Sequence, residues 1–412
     1  MLSRLNCGFQ QYDWGKLGAQ SRVAKYARTN TDTIRDDEPY AELWMGTHPK
    51  MCSTLIPSGA SLRAEIEAHP EYMGDALIEK YGPGELPFLF KVLSIRKPLS
   101  IQAHPDKALA KQLRASDPKN YPDDNHKPEM AIALTPFEGF CGFRPVNEIA
   151  WFLDHVPEFA ELVGDDVVKQ FKHTMHTDSH KALHVLFNAV MTADDLLIEE
   201  MAKRLVERAT LEGANFAGSA DFGGAKLASL LVRCNNDFPL DVGLFCGGLM
   251  LNYVELNAGE AMFLAAKVPH AYISGDIVEC MAASDNVVRS GFTPKFKDVK
   301  NLVAMLTYDS GPADEQKMKP LSDDHVIGGE VKLFNPPIDE FVLLEHKADQ
   351  KSVFKPREGP AIFITTEGTG ELIYKNKTLE YAPGFVFFAA RGTEFTLVPK
   401  TATTSYHAVA DK

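Results

Sequence analysis

The 412-residue sequence contains only six cysteines, with no CxxC pair and no dense spacing, so we expect neither a thiolate zinc site nor a disulfide framework. Long apolar runs are also missing. No stretch approaches the ~20 residues that span a bilayer, and the N-terminus lacks the apolar segment of a signal peptide. Positive charge is in deficit, with 43 Lys and Arg against 56 Asp and Glu. We therefore expect a cytoplasmic protein that binds neither membrane nor nucleic acid.

The remaining composition is that of a folded globular protein, with 45% hydrophobic and 24% charged residues. Residues 1–147 consist of short apolar runs separated by Gly and Pro, which is typical of strands and turns. Residues 148–251 instead carry apolar residues at helical spacing. Strand patterns return in residues 252–319 and dominate the tail, residues 320–412. The sequence therefore predicts a mainly β protein that is interrupted by a helical block.

Two clusters in the first β region carry residues with ligand or acid-base chemistry. Gln102 and His104 are two positions apart, so in a strand they leave the same face and can converge on one ion. Alternatively, His104 ends a strand and bonds locally. A second cluster, His126, Lys127 and Glu129, lies on a loop that two prolines stiffen. This loop suits either a functional site or a solvated turn.

A third cluster begins at His270. If Ser274 and Gly275 form a two-residue hairpin turn, His270 faces Glu279 across the two strands. This pairing would place a carboxylate beside an imidazole, and it depends on register, because a shift by one residue sends Glu279 to the opposite face.

Together the clusters contain Gln102, His104, Glu129 and His270, which offer nitrogen and oxygen but no sulfur. Such a donor set suits zinc, with iron or manganese as alternatives. The neutral amide of Gln102 donates less charge than a second carboxylate. A bound ion would therefore keep a net positive charge and act as a strong Lewis acid.

At these residues the sequence resembles the type I phosphomannose isomerases, a zinc-dependent family. The string YPDDNHKPE at 121–129 fits the family signature Y-x-D-x-N-H-K-P-E at every fixed position, and HAYISGDIVECMAASDNVVRSGFTPK at 270–295 resembles a second signature. It departs from that signature at Ser290, where the family usually has Ala. Similar stretches occur at 12–18, 39–49 and 86–107.

The resemblance implies two cupin-like jelly-roll barrels and a helical domain. The catalytic barrel would comprise residues 1–147 and 252–319, the helical domain residues 148–251, and a degenerate second barrel residues 320–412. The implied reaction interconverts mannose 6-phosphate and fructose 6-phosphate through a cis-enediol, with one zinc ion per chain. It serves mannose use and GDP-mannose synthesis.

The resemblance also assigns roles to residues. The zinc ligands fall on Gln102, His104, Glu129 and His270, and the essential arginine falls on Arg289. For proton transfer we favour Glu279, while Asp285 and the pair His126 and Lys127 remain open. Positive or hydroxyl groups are expected at the phosphate, and the candidates are Arg289, Lys295, Lys91 and Ser100.

Two other functions stay open on the sequence alone. A non-catalytic cupin-like protein could bind a phosphosugar as a sensor, and a different sugar-phosphate isomerase could use the same residues. The retention of charged residues around the ligands favours the isomerase. For the assembly we expect a monomer or a weak oligomer.

Overall fold

The computed structural model describes residues 1–218 and 222–410. Residues 219–221 of the predicted helical domain, and residues 411 and 412 of the predicted C-terminal domain, lie outside the described part. The first 145 residues are mainly strands with four α-helices and one short 3-10 helix, Pro70–Tyr72. The helices are Arg22–Ala27, Leu62–Ala68, Asp75–Tyr81 and Lys107–Ser116. The strands are Leu2–Asn6, Phe9–Gln10, Lys16–Leu17, Pro39–Tyr40, Glu42–Met45, Thr54–Leu55, Phe88–Ile95, Ile101–Ala103, Glu129–Ala133 and Phe137–Phe143.

A run of helices follows, as the spacing of apolar residues predicts. The helix Asp195–Glu212 begins where the Asp194 carboxylate accepts hydrogen bonds from the main-chain N–H groups of Leu196 and Leu197. It ends at Gly213, which has a positive φ of 50°. The α-helices of this run are Val146–His155, Pro157–Val163, Asp165–Thr174, Ser179–Met191, Asp195–Glu212, Gly224–Asp237 and Gly243–Cys246, with a 3-10 segment at Gly213–Gly218.

The chain then returns to strands. The middle segment contains Leu251–Leu256, Ala261–Leu264, His270–Ala282, Val288–Gly291, the helix Val299–Met305, the 3-10 turn Ala313–Gln316 and the strand Lys317–Met318. The tail contains the strands Val326–Ile327, Glu330–Phe334, Val342–Ala348, Ser352–Phe354, Ala361–Glu367, Gly370–Tyr374, Lys377–Tyr381, Val386–Ala389, Phe395–Pro399 and Thr403–Val409. The mainly β character with a helical insertion is therefore confirmed.

The strands assemble into sheets of seven, eleven, five and two strands, and none of these sheets closes on itself in the part of the chain that is described. The first strand, Leu2–Asn6, is the second from one edge of the seven-stranded sheet, where it pairs with Val386–Ala389 of the tail. The N-terminal and C-terminal β regions therefore share a sheet and a hydrophobic core.

The long strand His270–Ala282 is the centre of the eleven-stranded sheet. Its first half pairs with Phe137–Phe143, and its second half pairs with Phe88–Ile95 on one side and Glu129–Ala133 on the other. All eight residues of Phe88–Ile95 are buried, including Lys91. A strand buried along its whole length reads as an apolar run, which explains the local sequence.

The predicted hairpin at Ser274 and Gly275 is wrong, because this segment bends within one continuous strand. Gly275 has a positive φ of 119°, and a Cβ there would lie 2.7 Å from the carbonyl oxygen of Pro136. Glycine is therefore required here because two main chains lie close together at a bend, where the strand changes partners. The chain does not reverse direction at this point. The side chain of Glu279 consequently meets Tyr272 and Lys91, and its predicted pairing with His270 does not occur.

The helical block is attached to this sheet by packing and by charge. Its buried side chains form one cluster with Ile101, Phe140 and Phe143 of the strands. The guanidinium of Arg233 also donates to both carboxylate oxygens of Glu138, each at 2.9 Å. No helix among residues 1–218 and 222–410 is both long and apolar enough to cross a membrane.

We predict that Gly275→Ala lowers Tm markedly, because the new methyl group collides with the main chain of residues 136 and 137 at a left-handed φ. The expected loss is about 2 kcal/mol or more of unfolding free energy. Differential scanning calorimetry measures the change. The matched control is Gly59→Ala, since Gly59 also has a positive φ but no atom within 4 Å of the point where a Cβ would lie. Equal Tm losses in both variants would contradict the proposed collision.

Candidate metal centre

Three buried side chains from different parts of the eleven-stranded sheet meet at one point. His104 follows the strand Ile101–Ala103, Glu129 opens the strand Glu129–Ala133, and His270 opens the long central strand. Their potential ligand atoms all lie within 4.8 Å of one another. Glu129 Oε1 is 3.5 Å from His104 Nε2, and Glu129 Oε2 is 3.3 Å from His270 Nε2. Within the described ranges, this is the one such group of three His, Cys, Asp or Glu side chains.

The hydrogen bonding of these groups fits a bound cation. His104 Nδ1 donates to the carbonyl of Asn286 at 2.7 Å, and His270 Nδ1 donates to the carbonyl of Val268 at 2.9 Å. Because a carbonyl only accepts, Nδ1 carries a proton in each ring, and Nε2 of each ring faces the centre. These two nitrogens and Glu129 Oε2 are buried without a hydrogen-bond partner among the described residues. A divalent cation would satisfy all three.

The protonation states agree with this fit. Burial lowers the pKa of His104 to about 4, so its ring is neutral near pH 7. Burial alone would raise the pKa of Glu129, but the charge of Lys127, together with the neighbouring imidazoles, outweighs it and holds that pKa well below its ordinary value. The Lys127 ammonium lies 3.1 Å from Glu129 Oε1. The centre therefore presents the neutral imidazole of His104, the imidazole of His270 and the carboxylate of Glu129.

Gln102 lies in register between His270 on one side and Arg289 on the other. Residues paired across neighbouring strands project to the same face of a sheet, so these three side chains form a row. The hydroxyl of Ser100 donates to the amide oxygen of Gln102 at 3.2 Å. This register aligns the predicted fourth ligand with His270 and brings the predicted arginine next to it.

Glu279 occupies a second buried group of charges on the same strand. Tyr272 donates its hydroxyl proton to Glu279 Oε1 at 2.8 Å, and the Lys91 ammonium lies 3.3 Å from Glu279 Oε2. Burial raises the pKa of Glu279; the cation of Lys91 opposes this shift, and the negative charge of Glu129 adds to it. A carboxylate with a raised pKa is suited to exchange a proton near neutral pH.

Lys91 lies between two carboxylates, since its ammonium is also 3.8 Å from Glu42. Trp44 donates its indole N–H to Glu42 at 2.5 Å, and Lys91 lies 5.1 Å from the centre of the Trp44 ring. Glu42 and Trp44 lie in the stretch 39–49 that resembles the family, but no role was predicted for them. They lie on the strand paired with Phe88–Ile95, and the register of that pairing places Trp44 opposite Lys91.

The remaining predicted residues have different surroundings. Lys127 reaches the centre through Glu129, whereas the imidazole of His126 bonds to Glu340 in the tail at 2.7 Å. Asp285 is exposed and pairs with Lys50 at 2.6 Å. The predicted proton-transfer candidates are therefore not one cluster, and Glu279 is the buried carboxylate among them.

The predicted phosphate-binding residues also differ in setting. Arg289 is partly buried and makes no ion pair with any described residue, so its guanidinium is available to an anion. Lys295 is exposed on the segment that follows the strand Val288–Gly291. Lys91, in contrast, is enclosed by Glu42 and Glu279.

Comparison with known proteins gives consistent matches along the chain. The family model of the phosphomannose isomerase type I catalytic domain matches residues 2–146, that of the helical insertion domain matches residues 162–251, and that of the C-terminal region matches residues 332–376. Mannose-6-phosphate isomerase from Saccharomyces cerevisiae is 53% identical over 407 residues, covering 94% of each chain.

Solved structures agree with these matches. A lysine-to-alanine mutant of phosphomannose isomerase from Salmonella typhimurium superposes with a TM-score of 0.82 at 31% identity, covering 100% of both chains. A mannose 6-phosphate isomerase described as holo and zinc bound superposes with a TM-score of 0.79 at 31% identity, covering 98% of both chains.

We predict that His270→Ala loses the bound divalent cation, because it removes one of the three converging ligand atoms. Even the loss of a group that only supports a ligand typically costs ~10- to 100-fold in metal affinity. Metal content after dialysis, measured by mass spectrometry, checks this. His180→Ala is the control, since His180 is an exposed histidine bonded to Asp309. Full metal retention in His270→Ala would rule out this centre.

Proposed function

The chain belongs to the type I phosphomannose isomerase family and is an aldose-ketose isomerase, and we propose that it interconverts D-mannose 6-phosphate and D-fructose 6-phosphate through a cis-enediol. Zinc is the cofactor, one ion per chain. The observation that carries this proposal is the convergence of His104 Nε2, His270 Nε2 and Glu129 Oε2, which are buried and have no hydrogen-bond partner among the described residues. A buried carboxylate of raised pKa lies on the same strand.

For the metal we propose the ligands His104, Glu129 and His270, with the amide oxygen of Gln102 as the fourth. Zinc in this site supplies Lewis-acid stabilisation of the negative charge that develops on a substrate oxygen. Lys127 bonds to Glu129 and adds positive charge beside it. The row formed by His270, Gln102 and Arg289 supports the choice of Gln102.

For proton transfer we propose Glu279 as the general base that moves a proton between C1 and C2. Its carboxylate takes the proton from one carbon and returns it to the other on the same face of the planar cis-enediol. The Tyr272 hydroxyl orients one oxygen and Lys91 the other, so the carboxylate is held in a single position. Asp285 is the alternative base. It is the weaker candidate, because its carboxylate is exposed and forms an ion pair with Lys50.

For the phosphate we propose Arg289 as the principal partner, with single contacts from Ser100 and Lys295. A guanidinium without an ion pair can bind two phosphate oxygens at once. The sequence also suggests Lys91 as a phosphate ligand. Because two buried carboxylates already engage it, we propose that it tunes Glu279 instead.

The domain limits remain proposals, supported by the separate catalytic, helical and C-terminal family matches. We propose a catalytic domain of residues 1–147 and 252–319, a helical domain of residues 148–251 and a C-terminal domain of residues 320–412, with cupin-like β regions. We further propose a cytoplasmic enzyme without nucleic-acid partners, monomeric or weakly oligomeric, that serves mannose use and GDP-mannose synthesis.

We predict that Glu279→Gln lowers kcat for mannose 6-phosphate by about 10²- to 10⁴-fold, because the amide cannot accept the proton. A coupled assay that consumes fructose 6-phosphate measures the loss, and metal analysis verifies that zinc is retained. Asp285→Asn is the matched comparison and is expected to stay within about threefold of the parent, since surface charges contribute little. The reverse ranking of the two variants would transfer the base to Asp285.

We also predict that Lys91→Met moves the acid limb of the pH–kcat profile to higher pH. The cation at 3.3 Å favours the ionised form of Glu279 and so lowers its pKa. Removing Lys91 therefore raises that pKa, and the base stays protonated to higher pH. Lys50→Met, which removes a lysine bonded to exposed Asp285, is the control and should leave the limb in place. An acid limb that is unchanged or lower in Lys91→Met contradicts this account.

A further inference from the structure

A buried carboxylate from the tail contacts the signature loop of the active site. Glu340 is 1% exposed. Its Oε1 accepts a hydrogen bond from His126 Nε2 at 2.7 Å and from the Lys107 ammonium at 3.0 Å, and its Oε2 accepts from the main-chain N–H of Asp339 at 3.2 Å. Burial alone would raise the pKa of Glu340, but the bonds from His126 and Lys107 outweigh it and lower that pKa to about 2.

The segment that carries Glu340 is fixed to the core beneath the site. Its neighbour Phe341 is fully buried and packs edge-on against Phe88, with ring centres 6.5 Å apart. Phe88 opens the strand Phe88–Ile95, which also carries Lys91. Glu340 therefore lies on a loop that the next residue anchors in the hydrophobic core.

His126 links the Glu340 carboxylate to the metal centre, because a single peptide bond separates it from Lys127. The next residue, Lys127, reaches Glu129 Oε1 at 3.1 Å, and Pro128 limits the freedom of the chain between them. The loop is also tied at the preceding residue, where the side-chain amide of Asn125 donates to the main-chain carbonyl of Ala283 at 3.0 Å. His126 thus forms the side-chain tie of the loop to the tail.

We propose that Glu340 is a positioning residue for the isomerase site, which holds His126 so that Lys127 stays on Glu129. This inference rests on the proposed function. It assigns the tail a part in the active site and gives His126 an anchoring role in place of proton transfer. A charged, buried bond is suited to this task, because breaking it leaves an uncompensated group and releases the loop.

The test is a double-mutant cycle on Glu340 and His126. Glu340→Gln removes the charge with little change in shape, and His126→Ala removes the donor. We expect each variant to lower kcat for mannose 6-phosphate about tenfold per bound zinc, while KM changes less than about threefold, because small displacements of catalytic groups have such effects. We expect the double variant to lose no more than His126→Ala alone, because removal of the imidazole already abolishes the bond that Glu340→Gln weakens by removing its charge.

Lys107→Met is the matched control. Lys107 bonds to the same oxygen of Glu340 but is not on the signature loop. A merely structural role for Glu340 would make Lys107→Met lower kcat as much as His126→Ala does, and that result would overturn the inference. Multiplicative losses in the double variant would overturn it as well. If Glu340→Gln does not fold, the comparison of the kcat of His126→Ala with that of Lys107→Met decides the question.

The parent enzyme separates this inference from the function on which it rests. Zinc-loaded parent protein that does not turn over mannose 6-phosphate refutes the proposed function. An active parent together with fully active Glu340→Gln and His126→Ala variants refutes only the positioning role.

Discussion

The close approach of two imidazole nitrogens and one carboxylate in a water-excluded part of the sheet is the constraint on which the rest of the structure depends. Unpaired polar atoms at such depth are costly unless an ion or hydrogen bond satisfies them. A divalent cation held by His104, Glu129 and His270 would satisfy these atoms, and the carbonyls of Asn286 and Val268 hold each ring with Nε2 toward the centre. The bend at Gly275 and the pairing of the central strand bring these residues together.

Lysines and carboxylates lie side by side around the centre. The protein carries a net charge of -13, yet two lysines with little solvent exposure, Lys127 and Lys91, lie beside the carboxylates of Glu129 and Glu279. Lys127 stabilises the ionised form of Glu129, and Lys91 opposes the effect of burial on Glu279. The two buried carboxylates thus have pKa values shifted in opposite directions, which suits Glu129 to its proposed role as metal ligand and Glu279 to its proposed role as base.

The sequence predicted those site residues that lie close together along the chain. The loop that ends in Lys127, Pro128 and Glu129 and the strand pattern around Gln102 and His104 each place their residues within a few positions. The matching to family signatures linked them to His270. The register and the pairing partners of the strands could not be predicted from the sequence, because a bend and a hairpin turn at Gly275 have the same local composition.

Contacts between distant segments account for what was missed. Glu42 joins Lys91 only through strand pairing, and Glu340 meets His126 across 214 positions of sequence separation. The shared sheet of the first and last β regions likewise follows from tertiary packing. No pattern of spacing identifies such partners, because the residue type alone does not show whether an acidic side chain is buried or exposed.

The most direct test of the central claim is a coupled assay of mannose 6-phosphate turnover, run beside glucose 6-phosphate, before and after a chelator removes the metal and with zinc then added back. The account predicts that turnover of mannose 6-phosphate alone disappears with the metal and returns with zinc. Undiminished turnover in the metal-free protein, or none in protein that holds a full equivalent of zinc, would contradict it.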